Sequence, residues 1–287
     1  DFELELNIQK NASPFLKIYS DLNNIELVSP LNSLAKNKME ILPTEIFVNN
    51  LSNPTLKVSN DLIDAHIRDF KKYEGYISIG SRLPEKFASF NNEPGLNIYL
   101  YLNSTNEDFF NFAFVKNNYP SIFELNMLAF DVKNFQFYDN DFSNLEGMFD
   151  LSKSEVKGNL TSDKVYLNFG MDKTGFMRLE INDLIIPNLS FLNVRQPASD
   201  FALNARVILK DSVFGKVKIK NFDAYIFNDK ESFAANNLRL DSNLISIKPA
   251  KNSSTAYFSV NKLQSLSKVS GDFLIKDSNK IPYLGDL

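Results

Sequence analysis

Residues Phe15 to Pro30 read FLKIYSDLNNIELVSP. Leu16 and Ile18 alternate with Lys17 and Tyr19; Asn23 and Asn24 interrupt, and a second apolar run follows from Ile25 to Val28. Locally this is a strand, a turn and a returning strand. The apolar face of such a hairpin needs a cover, and no helical pattern stands beside it to supply one.

The same period of two recurs along the chain. Phe2, Leu4, Leu6 and Ile8 oppose Glu3, Glu5 and Asn7, and "GLNIYLYLN" sets Leu96, Ile98, Leu100 and Leu102 against Asn97, Tyr99 and Tyr101. "FALNARVILK" sets Leu203, Ala205, Val207 and Leu209 against Asn204, Arg206 and Lys210, and "GKVKIKN" sets Val217 and Ile219 against three lysines. Alternation of this kind puts one side of a strand in an apolar setting and the other in water. Turn signals built on Asn and Asp arrive at all-β spacing, among them "SNPT" at 52–55, "FNNEPG" at 90–95, "YDND" at 138–141 and "LDSN" at 240–243. Residues 154–169 resemble residues 231–247, each with a Ser-Asp or Asp-Ser turn before an apolar strand.

Helical patterns are weak at 33–40, 60–75 and 104–118. The second reads equally well as a strand through Ile63, Ala65 and Ile67. Only a short helix around 105–115 is expected, after the Ser104/Thr105 cap signal.

Composition excludes several functions. The 287 residues are 44% hydrophobic and nearly balanced in charge, 31 basic against 35 acidic, with no basic cluster to meet nucleic-acid phosphates. Without cysteine there is no disulfide, thiolate nucleophile or cysteine-rich zinc site. His66 is the sole histidine, so no triad or histidine metal cluster can be built, and it reads as a surface or edge-strand residue. Tyr138 to Gly147, "YDNDFSNLEG", does not match calcium-loop spacing and reads as turn chemistry. No metal, cofactor or catalytic set is expected. The 26 Phe and 11 Tyr, with no Trp, read as apolar lining. Both ends read as cuts through a longer repeating chain. A greasy sheet face can be covered by a second sheet, by closure into a barrel, or by a chain-like ligand in a trough, and periodicity leaves all three open.

The opening stretch also resembles a known family. "FLKIYSDLNNIELVSPLNSLAK" is similar to the segment of the YhdP family that runs from a strand through Ser-Asp-Leu to a Pro-Leu step. Ser20, Asp21 and Leu22 match the first element and Pro30 with Leu31 the second, while Asn24 stands where Gly is usual. "GYISIGSRLPEKFASFNNEPGLNIYLYLNSTNEDFFNF" resembles the family's step through a Pro-Gly-Leu turn, here Pro94, Gly95 and Leu96. A second Gly is missing there, and Phe109 or Phe110 takes the place of a common Trp. "LEINDLIIPNLSF" and "FGKVKIKNFDAYIFND" resemble two later strands in order.

The family comprises AsmA-like, TamB-related proteins of Gram-negative bacteria. The resemblance implies an all-β fold in which a long, twisted antiparallel sheet curls into an open, taco-like groove with few short helices. Residues 1–287 would be one continuous segment of that groove, the periplasmic part of an inner-membrane-anchored protein. It implies no enzyme but a conduit for phospholipid acyl chains between inner and outer membrane, with membranes as partners at the full-length protein's ends. The alternative is a non-conducting scaffold for outer-membrane protein assembly. The expected groove lining is Leu96, Ile98, Leu100, Leu102, Leu203, Val207, Leu209, Val217 and Ile219.

Overall fold

The computed structural model describes residues 2–8, 10, 13–27, 35–50, 53–106, 125–151, 155–189, 203–229, 231–251, 255–261 and 266–277. They are all-β, with one 3-10 segment at Glu85–Asn91. The chain divides into two compact units: one holds Asp1–Phe135 and Ser143–Lys153, the other Gln136–Phe142 and Ser154–Leu287.

In the first unit six strands follow one another as antiparallel neighbours: β1 (Phe2–Asn7), β2 (Phe15–Ser20), β3 (Thr44–Asn49), β4 (Thr55–Ser59), β5 (Ile63–Asp69) and β6 (Glu74–Ile79). Asx turns join several of them. Asn60 Oδ1 accepts the N–H groups of Leu62 and Ile63, and Asp69 Oδ1 those of Lys71 and Lys72. Gly75 is the second residue of β6, where a Cβ would lie 2.1 Å from the His66 carbonyl oxygen, so only glycine permits this approach of β6 to β5. β7 (Leu96–Asn106) then pairs with β6 in parallel. A parallel neighbour needs a crossover, and residues 80–95, with the 3-10 segment inside them, provide it. β8 (Leu125–Phe137) and β9 (Asn140–Asp150) are joined by the two-residue turn Tyr138–Asp139.

The second unit starts with β10 (Val156–Ser162), β11 (Val165–Met171) and β12 (Met177–Asn182), antiparallel in sequence. β13 (Ile185–Ile186) and β12 both pair in parallel with β14 (Leu203–Phe214). β15 (Val217–Asn228), β16 (Ser232–Ser242), β17 (Ile245–Lys248), β18 (Tyr257–Asn261), β19 (Leu266–Ser270) and β20 (Asp272–Ile275) complete it. β16 pairs with both β17 and β18, β17 goes on to β20, and β18 to β19. The two resembling stretches form matching hairpins. Ser162 Oγ accepts the N–H of Lys164 after β10, and Ser242 Oγ accepts those of Leu244 and Ile245 after β16.

Four sequence expectations change. Pairing is mixed rather than antiparallel throughout, because two crossovers bring β7 and β14 back in parallel. Over its described residues, 25–27, the expected returning strand does not form against β2, whose neighbours are β1 and β3. Leu22 and Asn24 take left-handed backbone, φ 48° and 62°, and turn the chain into an excursion whose Leu27 bridges Lys36. That bridge also occupies the weak helical pattern at 33–40 where it is described, whereas 60–75 takes its strand reading, as β5 and the start of β6. The chain regains β2 at the Leu42 N–H to Asp21 carbonyl bond. β7 runs on through Ser104 and Thr105, so the expected helix does not start there; residues 107–124 lie outside the described residues. Finally, His66 sits on β5, an interior strand between β4 and β6, not on an edge.

Candidate functional site: an apolar face and its charged reverse

Residues opposed across paired strands share a face, so the registers show which side chains assemble. In the first unit one row runs Leu4, Ile18, Ile46, Val58, Ala65, Ile77, Ile98 from β1 to β7. The row beside it runs Leu6, Leu16, Val48, Leu56, Ile67, Gly75, Leu96. Neither row contains a polar side chain. The reverse rows carry Glu3, Tyr19, Glu45, Ser59 and Asp64, and Glu5, Lys17, Phe47, Lys57 and His66.

The second unit repeats the arrangement. Leu160, Leu167, Ile181, Leu209, Phe222, Leu240 and Ile247 form one row across β10 to β17. Val156, Met171, Met177, Ala205, Ile226, Ala235 and Phe258 form another. On this face Ala205, Ala224, Ala235 and Leu238 are buried, while Phe222, Ile226, Ile247 and Phe258 stand half-exposed around the last three. In the first unit Ile18, Ile46, Val58 and Ile77 are likewise half-exposed, and on edge strand β1 Phe2, Leu4 and Leu6 are 73%, 58% and 54% exposed.

The nine expected lining residues fall into two groups, four in the first unit and five in the second. Ile98 joins the first row directly, and Leu100 continues Ile63 and Ile79. Both are half-exposed, whereas Leu96 and Leu102 are buried. Val207 and Leu209 align with Leu179 and Ile181, and Leu203, Val217 and Ile219 are half-exposed as well. The rows also hold Ile46, Val58, Ile77, Leu167 and Ile181, which the alternation in "TEIFVN", "TLKVS", "EGYISI", "VYLNFGM" and "MRLEIN" marks as apolar-face residues.

The reverse of β7 is not in water. Asn97 and Tyr99 are buried, because Phe87 and Phe90 of the 3-10 segment pack on Tyr99 and Ala129. Asn97 Nδ2 donates to the carbonyls of Gly75 and Phe90, both at 3.1 Å, and its Oδ1 accepts from Asn126 Nδ2 at 2.9 Å. The Tyr99 hydroxyl donates to Asp131 at 2.8 Å; burial, then this carboxylate, pushes the phenol well above its usual range. Lys86 reaches both Asp131 at 3.0 Å and Glu146 at 3.2 Å, tying the 3-10 segment to β8 and β9.

Elsewhere the reverse side is charged and paired. Arg206 makes a bidentate contact with Asp223 at 3.0 and 2.8 Å, which holds that carboxyl below its usual range. Lys210 meets Glu180 at 2.9 Å. His66 Nδ1 lies 2.7 Å from Asn91 Oδ1, so the ring donates there, and burial lowers the imidazole's pKa. The Tyr76 hydroxyl donates to Asp64, and burial pushes that phenol up to about 12. These contacts supply no nucleophile with an adjacent base. Among the described residues no three of His, Cys, Asp and Glu gather as a metal site would require. What remains chemically is an extended, partly open apolar surface backed by a charged one.

No family model, curated protein or solved structure matches this chain.

Proposed function

We propose that this chain is a segment of a lipid conduit of the kind its resemblance to the YhdP family implies. In this reading the sheet curls into an open groove whose apolar rows carry phospholipid acyl chains between inner and outer membrane. The observation that carries the proposal is the pair of uninterrupted apolar rows in each unit, in which most of the larger side chains are half-exposed or exposed. Seven strands at about 4.8 Å spacing extend such a row over roughly 29 Å, a dimension suited to a chain-like ligand. Each methylene laid against it gains about 0.8 kcal/mol, and without a polar side chain in the row no position along it traps the ligand.

A second reading draws on the other end of the first unit. Leu102, Phe130, Val132 and Leu145 are almost wholly buried, as in a packed core. A packed interior suits a non-conducting scaffold for outer-membrane assembly.

Photo-crosslinkers at Ile98 and Val207 decide between them. The conduit reading expects capture of phospholipid in cells at both positions and none at outward Glu5 and Lys157. Capture confined to the outward positions, or none at all, overturns it and leaves the scaffold.

A further inference from the structure

One corner of the second unit concentrates positive charge around a cavity. The start of β15, the turn after β16 and Lys276, just beyond β20, meet there. The Lys218 N–H donates to Asn243 Oδ1, Asn243 Nδ2 donates to the Lys216 carbonyl, and the Lys276 N–H donates to the Leu244 carbonyl. A register shift between Ile219 and Asn221 makes Lys220 a bulge residue, so Lys220 and Asn221 are exposed in succession and the alternation steps by one. The result gathers Lys218, Lys220 and Lys276 around a cavity of about 380 Å³, with buried Ser212 and Ser242 also in its lining.

The acidic groups facing this cavity are Asp211 and Asp241. Asp241 is engaged by Lys276, whose ammonium also donates to the Ser242 carbonyl at 2.7 Å. Lys218 and Lys220 make no ion pair among the described residues, so two exposed ammonium groups face one uncommitted carboxylate, Asp211. The excess is local, since the whole chain carries net −4. Three ammonium groups against two carboxylates leave an excess of positive charge, which suits an anion with several acceptor oxygens.

We propose that this corner binds a phosphoryl anion, held by Lys218 and Lys220. The inference does not rest on the apolar rows. A phosphoryl group can come from a lipid headgroup or from a free phosphate ester, and the test separates the two sources.

The double variant Lys218→Gln/Lys220→Gln alters two exposed side chains, and an unchanged melting temperature confirms its fold. Inorganic phosphate is titrated by calorimetry, and vesicles of phosphatidylcholine with and without phosphatidylglycerol are tested by co-sedimentation. Wild-type protein is expected to bind at least one phosphoryl probe with an affinity that falls as salt rises. Each lysine lost should weaken binding by about fivefold. Binding to inorganic phosphate that competes with vesicles assigns a free-phosphate site, and binding to anionic vesicles alone assigns a lipid headgroup. Equal binding by wild type and variant, or binding of neither probe, overturns the proposal. Crosslinking at Ile98 and Val207, repeated in the double variant, reports on the conduit separately.

Discussion

Gly147 shows at the scale of one residue how tightly part of the first unit is packed. A Cβ there would lie 2.4 Å from the Phe130 ring, which also stacks on Phe149 at 6.1 Å between centroids. Gly147→Ala is therefore expected to destabilise by about 1–3 kcal/mol, read from a denaturant midpoint; an unchanged midpoint would show that the ring shifts freely. His66 gives a second prediction. Its folded pKa is lowered by burial, so the unfolded chain binds the proton more readily. The stability that the neutral ring contributes is complete above the ordinary value near 6.5 and is lost as pH falls through the lower folded value. Because it is the only histidine, one imidazole resonance in an NMR titration checks this without assignment. A midpoint at or above the ordinary value would contradict it.

The 3-10 segment Glu85–Asn91 matters most among the elements. It forms inside the β6–β7 crossover, and Phe87 and Phe90 seal one side of β7 while Lys86 anchors it to Asp131 and Glu146. Phe87→Ala should cost about 3–5 kcal/mol, since its ring lies 5.1 Å from that of Tyr99 and its loss opens a cavity there. It should also let the Tyr99 phenol titrate closer to its normal range, visible in the ultraviolet absorbance of an alkaline titration. Loss of stability without that spectral change would place the seal elsewhere. Lys86→Ala removes a cation shared by two carboxylates, and a loss of about 0.5–1 kcal/mol, read from the denaturant midpoint, is expected, since Lys86 and Glu146 are about half exposed.

At the scale of the whole molecule, two faces of opposite character recur in both units. A half-exposed apolar side chain contributes less to stability than a buried one, so Ile46→Asn should cost under about 2 kcal/mol. The same change puts an amide into a row that has no polar group and should weaken binding of a fluorescent fatty acid severalfold. If Ile46→Asn unfolds the protein while fatty-acid binding by folded variants stays unchanged, the rows are core and not a ligand surface.

Alternation by itself determined the strands and their sidedness, because a period of two places every second side chain on one face whatever the partner. FELELN, FLKIYS and LNARVILK were legible as strands with the correct apolar side, and Ile98, Leu100, Val207 and Leu209 could be placed on it from their spacing. Four things needed the tertiary structure. Parallel pairing of β7 and β14 depends on where a crossover returns the chain, which no local pattern encodes. The burial of Asn97 and Tyr99 depends on an aromatic segment seven to twelve residues upstream folding back over them; the spacing of polar residues says nothing of that cover. The meeting of Lys218, Lys220 and Lys276 requires the turn after β16 to lie between β15 and the residues beyond β20. The division of a uniform apolar pattern into buried Leu96 and Leu102 and half-exposed Ile98 and Leu100 follows from what packs against each position, a property of three-dimensional neighbours and not of the strand.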